Sequence, residues 1–105
     1  MADIIRTNIG IATHLMPTGS LSDKESLASL QEAFDVCLET GVTKVVVNLE
    51  RVPSISGLAL ETLLDMQDAL ALKGGQLSVE QPNALLKDIF TITAFEKYVM
   101  VQERP

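Results

Sequence analysis

The chain has 105 residues, enough for one domain (residues 1–105), and its 47% hydrophobic content can fill one core. A net charge of −6, no Trp and a single Tyr argue against a nucleic-acid binder, which needs a basic patch and stacking rings. No apolar run approaches the ~20 residues of a membrane span. The acidic Met1-Ala2-Asp3 start is unlike a secretory leader, so a soluble, cytoplasmic protein without membrane insertion is expected.

In chain order, Ile4–Thr7 reads as a short strand with a turn at Asn8–Gly10, and Ile11–Met16 as a second strand stopped by Pro17 and Gly19. Ser22-Asp23-Lys24-Glu25 has the spacing of a capping box with Ser22 as the cap. The helix it opens carries Leu27, Leu30, Phe34, Cys37 and Leu38 as one apolar stripe and ends near Thr40–Gly41. Lys44–Leu49 holds three consecutive valines, a run that suits a strand covered on both faces. A second helix starts at Ser56 or Gly57 and runs to Lys73, where Gly74-Gly75 stops it. Gln76–Glu80 alternates as a strand. Pro82 suits a first helical position and opens a short helix to about Ile92, and Tyr98–Gln102 is a last strand. The order β-β-α-β-α-β-α-β predicts an α/β layer fold, with helices packed on a mixed, mostly parallel sheet of four to five strands.

Few residues in this chain suit catalysis. The single Cys37 rules out an internal disulfide and falls in a helical stripe, where a small buried hydrophobe is expected. His14, the only histidine, sits in a strand beside Ala12 and Met16, with no partner base or nucleophile at hand. No metal-ligand spacing and no dinucleotide or P-loop glycine pattern is present, so no catalytic residue, metal or cofactor is expected.

The join between strand and second helix, Ser54-Ile55-Ser56-Gly57, is different. A helix N-terminus preceded by small residues presents free amides that favour an anion, and equally accommodates a serine as a plain N-cap. Just beyond it Glu61, Asp65 and Asp68 share one helix face with no lysine between them. Like charges at this spacing cost a few tenths of a kcal/mol per pair. The stripe is either a solvated surface or a face for a basic protein partner.

Several stretches together resemble the STAS domain of anti-sigma-factor antagonists (anti-anti-sigma factors), from residue 11 to 102. Thr18-Gly19-Ser20-Leu21-Ser22 resembles the small-Gly-Glu-Leu-Asp turn before the family's first helix. Val45–Val52 resembles its hydrophobic strand ending in Asp-Leu, Gly74–Val79 its Gly-Gly turn into a strand, and Phe90–Phe95 its Leu-x-x-Thr-Gly-Leu segment. One gapless register joins these blocks. The resemblance implies a STAS-like (SpoIIAA-like) fold and a non-enzymatic protein-interaction module of bacterial partner switching. There, an anti-sigma factor that is also a serine kinase phosphorylates the antagonist, and a phosphatase resets it.

The same register places the family's Ile-Asp-Ser-Ser/Thr-Gly-Leu loop on Ile55–Leu60, so that Gly57 occupies the phosphoserine position. Ser56 takes the Asp position, Leu58 the second Ser/Thr and Ala59 the Gly; Asn48 replaces the strand-end Asp, Ser22 the turn Asp, and Ala94 the later Gly. Ser56 and Ser54 remain as candidate phosphoacceptors. The expected partner surface is Ser54, Ser56, Gly57, Leu58 and Ala59 with Glu61, Asp65 and Asp68. Two alternatives stand beside this reading. One is a STAS-type accessory subunit of a transport or signalling complex that binds without phosphorylation. The other is a small phosphocarrier, which would need an acceptor His, Cys or Asp at a strand end.

Overall fold

The computed structural model describes residues 3–103. Strands β1 (Asp3–Ile9) and β2 (Ala12–Thr18) form an antiparallel hairpin closed by Gly10 and Ile11. Gly10 has a φ of 61°, the left-handed region that a two-residue hairpin turn demands of its first residue. The turn therefore falls later than Asn8–Gly10, and the first strand is longer than Ile4–Thr7. Pro17 does not stop β2. It lies past the last pair with the next strand, Leu15 with Val47, where a missing N–H leaves no ladder bond unmade.

After the hairpin come α1 (Lys24–Glu39), β3 (Lys44–Asn48), α2 (Gly57–Ala71), β4 (Gln76–Glu80), α3 (Ala84–Ile92), a short 3-10 turn (Phe95–Lys97) and β5 (Met100–Gln102). The sheet order is β1-β2-β3-β4-β5, with β2 to β5 all parallel. The mixed, mostly parallel sheet expected from the sequence is the one observed. The start of the last strand is not: Tyr98 follows the 3-10 turn, and pairing begins at Met100.

Each crossover from β2 to β5 steps the sheet in the same direction. Right-handed crossing then puts all three helices on one face. Leu15, Val45, Val47, Leu77 and Val79 point into that layer and form one core with Leu30, Phe34, Cys37, Leu63, Met66, Leu70, Leu86 and Phe90. Each such side chain contributes roughly 1.5–3 kcal/mol by leaving water. The opposite face carries the row His14, Val46, Ser78 and Met100, which are cross-strand partners in register. Val46 is only 4% exposed, yet it stands outside the core cluster. The three-valine run therefore reflects a central strand, whose middle valine is shielded by its strand neighbours. Among the described residues, the cover on both faces that the run suggested is therefore not present on this side.

Helix α2 starts at Gly57 as expected, whereas the starts of α1 and α3 differ from expectation by a residue or two. Asp23, not Ser22, caps α1, its carboxylate accepting the Ser26 N–H at 2.6 Å. A carboxylate is the stronger acceptor, and it displaces the hydroxyl next to it from the role. Asn83 caps α3 by accepting the Leu86 N–H at 2.8 Å, so Pro82 lies before the helix rather than in its first turn. At the Gly74-Gly75 turn the two glycines have separate reasons. Gly74 has a φ of 76°, and a Cβ on Gly75 would run into the Thr43 carbonyl.

Candidate functional site

The parallel strands all point their C-terminal ends at one edge, where α/β sheets commonly bind ligands. Three loops meet there. Main-chain bonds join two of them: the Gly19 N–H donates to the Arg51 carbonyl (3.0 Å), Leu21 N–H to Ser54 (3.1 Å), and Ser56 N–H to Leu21 (3.0 Å). Leu21 and Ile55 form a parallel bridge, and both side chains are buried. The third loop attaches through Asn83, whose amide donates to the Pro53 carbonyl at 3.1 Å. The segment between β3 and α2 is thus held from both sides and presents α2 in a defined pose.

Both candidate phosphoacceptors have engaged hydroxyls. Ser56 is the N-cap of α2, its Oγ accepting the Ala59 N–H at 3.2 Å. Ser54 Oγ lies 2.8 Å from Ser20 Oγ in a partly buried pair. Gly57 is the first helical residue, exposed, with open space around the position a Cβ would take. Leu58 is 49% exposed. Ala59 is fully buried in the core, so it supports the loop from beneath and does not belong to the surface on which it was expected. Its small size lets the first turn of α2 sit close to the sheet.

The predicted acidic stripe is real as geometry: Glu61, Asp65 and Asp68 are all exposed along α2. Leu58 stands at its start and Leu72, 90% exposed, at its end. The neighbouring α1 adds Glu25, Glu32, Asp35 and Glu39 against Lys24, and every one of these is exposed. Outside α1 and α2, seven acidic residues balance seven basic ones. The whole net charge of −6 therefore resides on two adjacent helices of one face.

Sequence reasoning missed two residues of this edge. Asn83 carried a legible signal as an N-cap candidate, obscured by Pro82 beside it. Ser20 carried none, because its partner Ser54 is distant in the chain and meets it only through the fold. A third residue, Asn48, departs from the Asp that the family resemblance gives at this strand end. Its side-chain oxygen accepts the Glu50 N–H at 2.8 Å, and its amide donates to Glu80 Oε1 at 3.2 Å. Glu80 also lies 3.6 Å from His14 Nδ1 on the helix-free face. His14 is thus partly buried in an interior strand of the sheet and faces a carboxylate.

Burial pushes the Cys37 thiol up, against a weaker opposing pull from Arg6, which disfavours a thiolate nucleophile. Among the described residues no group of three His, Cys, Asp or Glu is placed to hold a metal, and no helix is long and apolar enough to cross a membrane. A shallow depression of about 560 Å³ near Gln76 and Tyr98 lies at the opposite, N-terminal edge of the strands.

A one-sided α/β sheet with a braced serine loop, an exposed helix start and a charged outer surface defines a domain built to present a surface. Its sequence matches the family model described as "Mlab, STAS domain" over residues 10–102, and the chain belongs to the STAS domain family. Its fold is that of the anti-sigma factor antagonists. An antagonist from Mycobacterium paratuberculosis superposes with a TM-score of 0.84 at 14% identity, covering 96% of this chain and 85% of its own. Unphosphorylated SpoIIAA gives 0.76 at 12% identity, over 98% and 90%. A Thermotoga maritima protein described as a candidate anti-sigma factor antagonist gives 0.87 at 20% identity, over 97% and 86%. At these identities the likeness is one of fold. Among curated proteins no significant relative is found.

Proposed function

We propose that this chain is a non-enzymatic interaction module of a bacterial partner-switching system, binding an anti-sigma factor/serine kinase through the Ser54–Leu58 loop and the outward face of α2. The observation that carries this reading is the exposed run Leu58, Glu61, Asp65, Asp68 directly after the braced loop, on the helices that hold all the net charge. It offers an apolar anchor at one end and a field that attracts a basic surface along the rest. Binding would act by competition, since an occupied partner releases what it had held.

The switch itself would sit at Ser56, one residue before the family's position. A phosphoserine adds nearly two negative charges, and a helix N-terminus accommodates them. Ser56 would exchange its neutral cap for a charged one without unmaking α2. Ser54 would first have to leave Ser20.

A second reading is favoured by Gly57: with no acceptor at the exposed helix start, the chain binds constitutively, as an accessory subunit of a transport or signalling complex. Affinity purification from the native cell, with phosphosite mapping of the bait, separates the two. Capture of a kinase-type ATPase with phosphate on Ser56 supports switching. Capture of a transporter subunit with both serines unmodified supports constitutive binding. Charge reversal at Glu61, Asp65 and Asp68 releases the partner in either case; retention of full binding would remove α2 from the interface.

A further inference from the structure

Among the described residues, strand β1 is the outer edge of the sheet and has a strand neighbour only on its β2 side. It pairs without interruption from Asp3–Thr18 to Ile9–Ala12, so it holds neither a bulge nor a proline to discourage further pairing. In a hairpin closed by two residues, the pair flanking the turn exchanges both main-chain bonds and the pairs then alternate. Counting back from Ile9–Ala12, the N–H and C=O groups of Ile4, Arg6 and Asn8 face away from β2. Main-chain groups of this kind are met by water or by another strand. On the helix-free face the same strand exposes Ile5 (47%) and Ile9 (56%).

We propose that β1 pairs edge to edge with β1 of a second copy of this chain, antiparallel and centred on Thr7, joining the two sheets into one of ten strands. A two-fold axis perpendicular to the sheet keeps both helix layers on the same side, so a residue can oppose only one that points to the same face. Centring on Thr7 satisfies this and sets Ile5 of each copy opposite Ile9 of the other. It also sets Arg6 opposite Asn8 on the helix side and brings the two threonines together on the axis. Centring on Arg6 would bring two guanidinium groups face to face. Centring on Ile5 would leave Ile9 outside the paired stretch. The strand is thus self-complementary in this register, in side chains and in main-chain polarity. It precedes the segment matched by the family model, which begins at residue 10, and it does not overlap the α2 surface proposed above.

Sedimentation equilibrium on the full chain over a concentration series tests this, with a reversible monomer–dimer equilibrium expected. Thr7→Lys sets two ammonium groups opposite each other and weakens the dimer by about tenfold or more, with the thermal midpoint at low concentration unchanged because Thr7 is exposed. Register is read by Thr7→Cys. On the axis it forms a non-hydrogen-bonded pair with Cα atoms about 4.5 Å apart, within disulfide range. It is expected to cross-link rapidly under mild oxidation, while the exposed Thr18→Cys control does not. A chain that sediments as a monomer throughout overturns the proposal. So does Thr7→Lys with unchanged association, or Thr18→Cys cross-linking as fast as Thr7→Cys.

Discussion

Asn48 donates its side-chain amide to the carboxylate of Glu80 at 3.2 Å, and both residues are about 5% exposed. The pair explains why the strand end carries Asn where the family usually has Asp. The oxygen of either residue would accept the Glu50 N–H, but only the amide can donate to Glu80. An aspartate here would put two carboxylates side by side in a buried site. Asn48→Asp is therefore expected to destabilise the chain by about 1–3 kcal/mol near neutral pH. Protonating either carboxylate removes the repulsion between them, so the lost stability returns in acid. Urea titrations at neutral and mildly acidic pH check this, and Glu80→Gln in the same chain should rescue most of the loss.

Ala94 occupies the position of a family glycine, with a φ of 59° in the left-handed region. An L-residue pays about 1–2 kcal/mol there, whereas glycine pays nothing. Glycine's freer unfolded chain takes back about 0.4–1 kcal/mol. Ala94→Gly should consequently stabilise the chain by about 0.5–1 kcal/mol and raise the midpoint of thermal unfolding by a few degrees. An unchanged or lower midpoint would count against this backbone argument.

At the start of α2 the two neighbouring positions separate stability from switching. Ser56→Ala removes a cap and should cost about 1 kcal/mol, whereas Ser56→Asp keeps the cap and adds charge at the favourable helix end. Gly57→Ser meets open space and an ordinary φ, so it should change stability by less than about 0.5 kcal/mol while creating an exposed hydroxyl at the family's acceptor position. Phosphorylation of Gly57→Ser, but not of the parent, by an antagonist-directed kinase would show that the surrounding surface is still read. Labelling of neither would favour a constitutive binder.

The α1 cap predicts one pH dependence. The N–H and hydroxyl of Ser26 hold the Asp23 carboxyl below its usual value. A depressed folded-state pKa means that its contribution is complete above the unfolded value of about 3.9, and is lost as pH falls through the folded one. Asp23→Asn keeps a capping oxygen and does not titrate. Stability profiles of parent and variant should run parallel above about pH 4, the parent falling away below it. Parallel profiles throughout the acid range would show that the cap contributes no such dependence.

Much of this architecture was legible in the chain because it rests on local rules. The stripe of Leu27, Leu30, Phe34 and Cys37 sets the buried side of α1, and all four residues are in the core. Gly74-Gly75 stops α2, and the element order sets a parallel sheet. Ser56 as the cap of α2, Gly57 as its first residue and the shared face of Glu61, Asp65 and Asp68 were legible in the same way, since capping and helical spacing act locally.

What only the tertiary structure decided depends on partners far apart in sequence. Val45, Val46 and Val47 read alike, yet the one-way run of crossovers sends two toward the helices and one to the bare face. Ala59 looked like part of a surface loop until packing buried it. Ser54 gained Ser20, and Asn48 gained Glu80, across loops that share no local signal. Periodicity and capping act over a few residues and are written in their order; burial and long-range hydrogen bonds exist only once the sheet has brought those residues together.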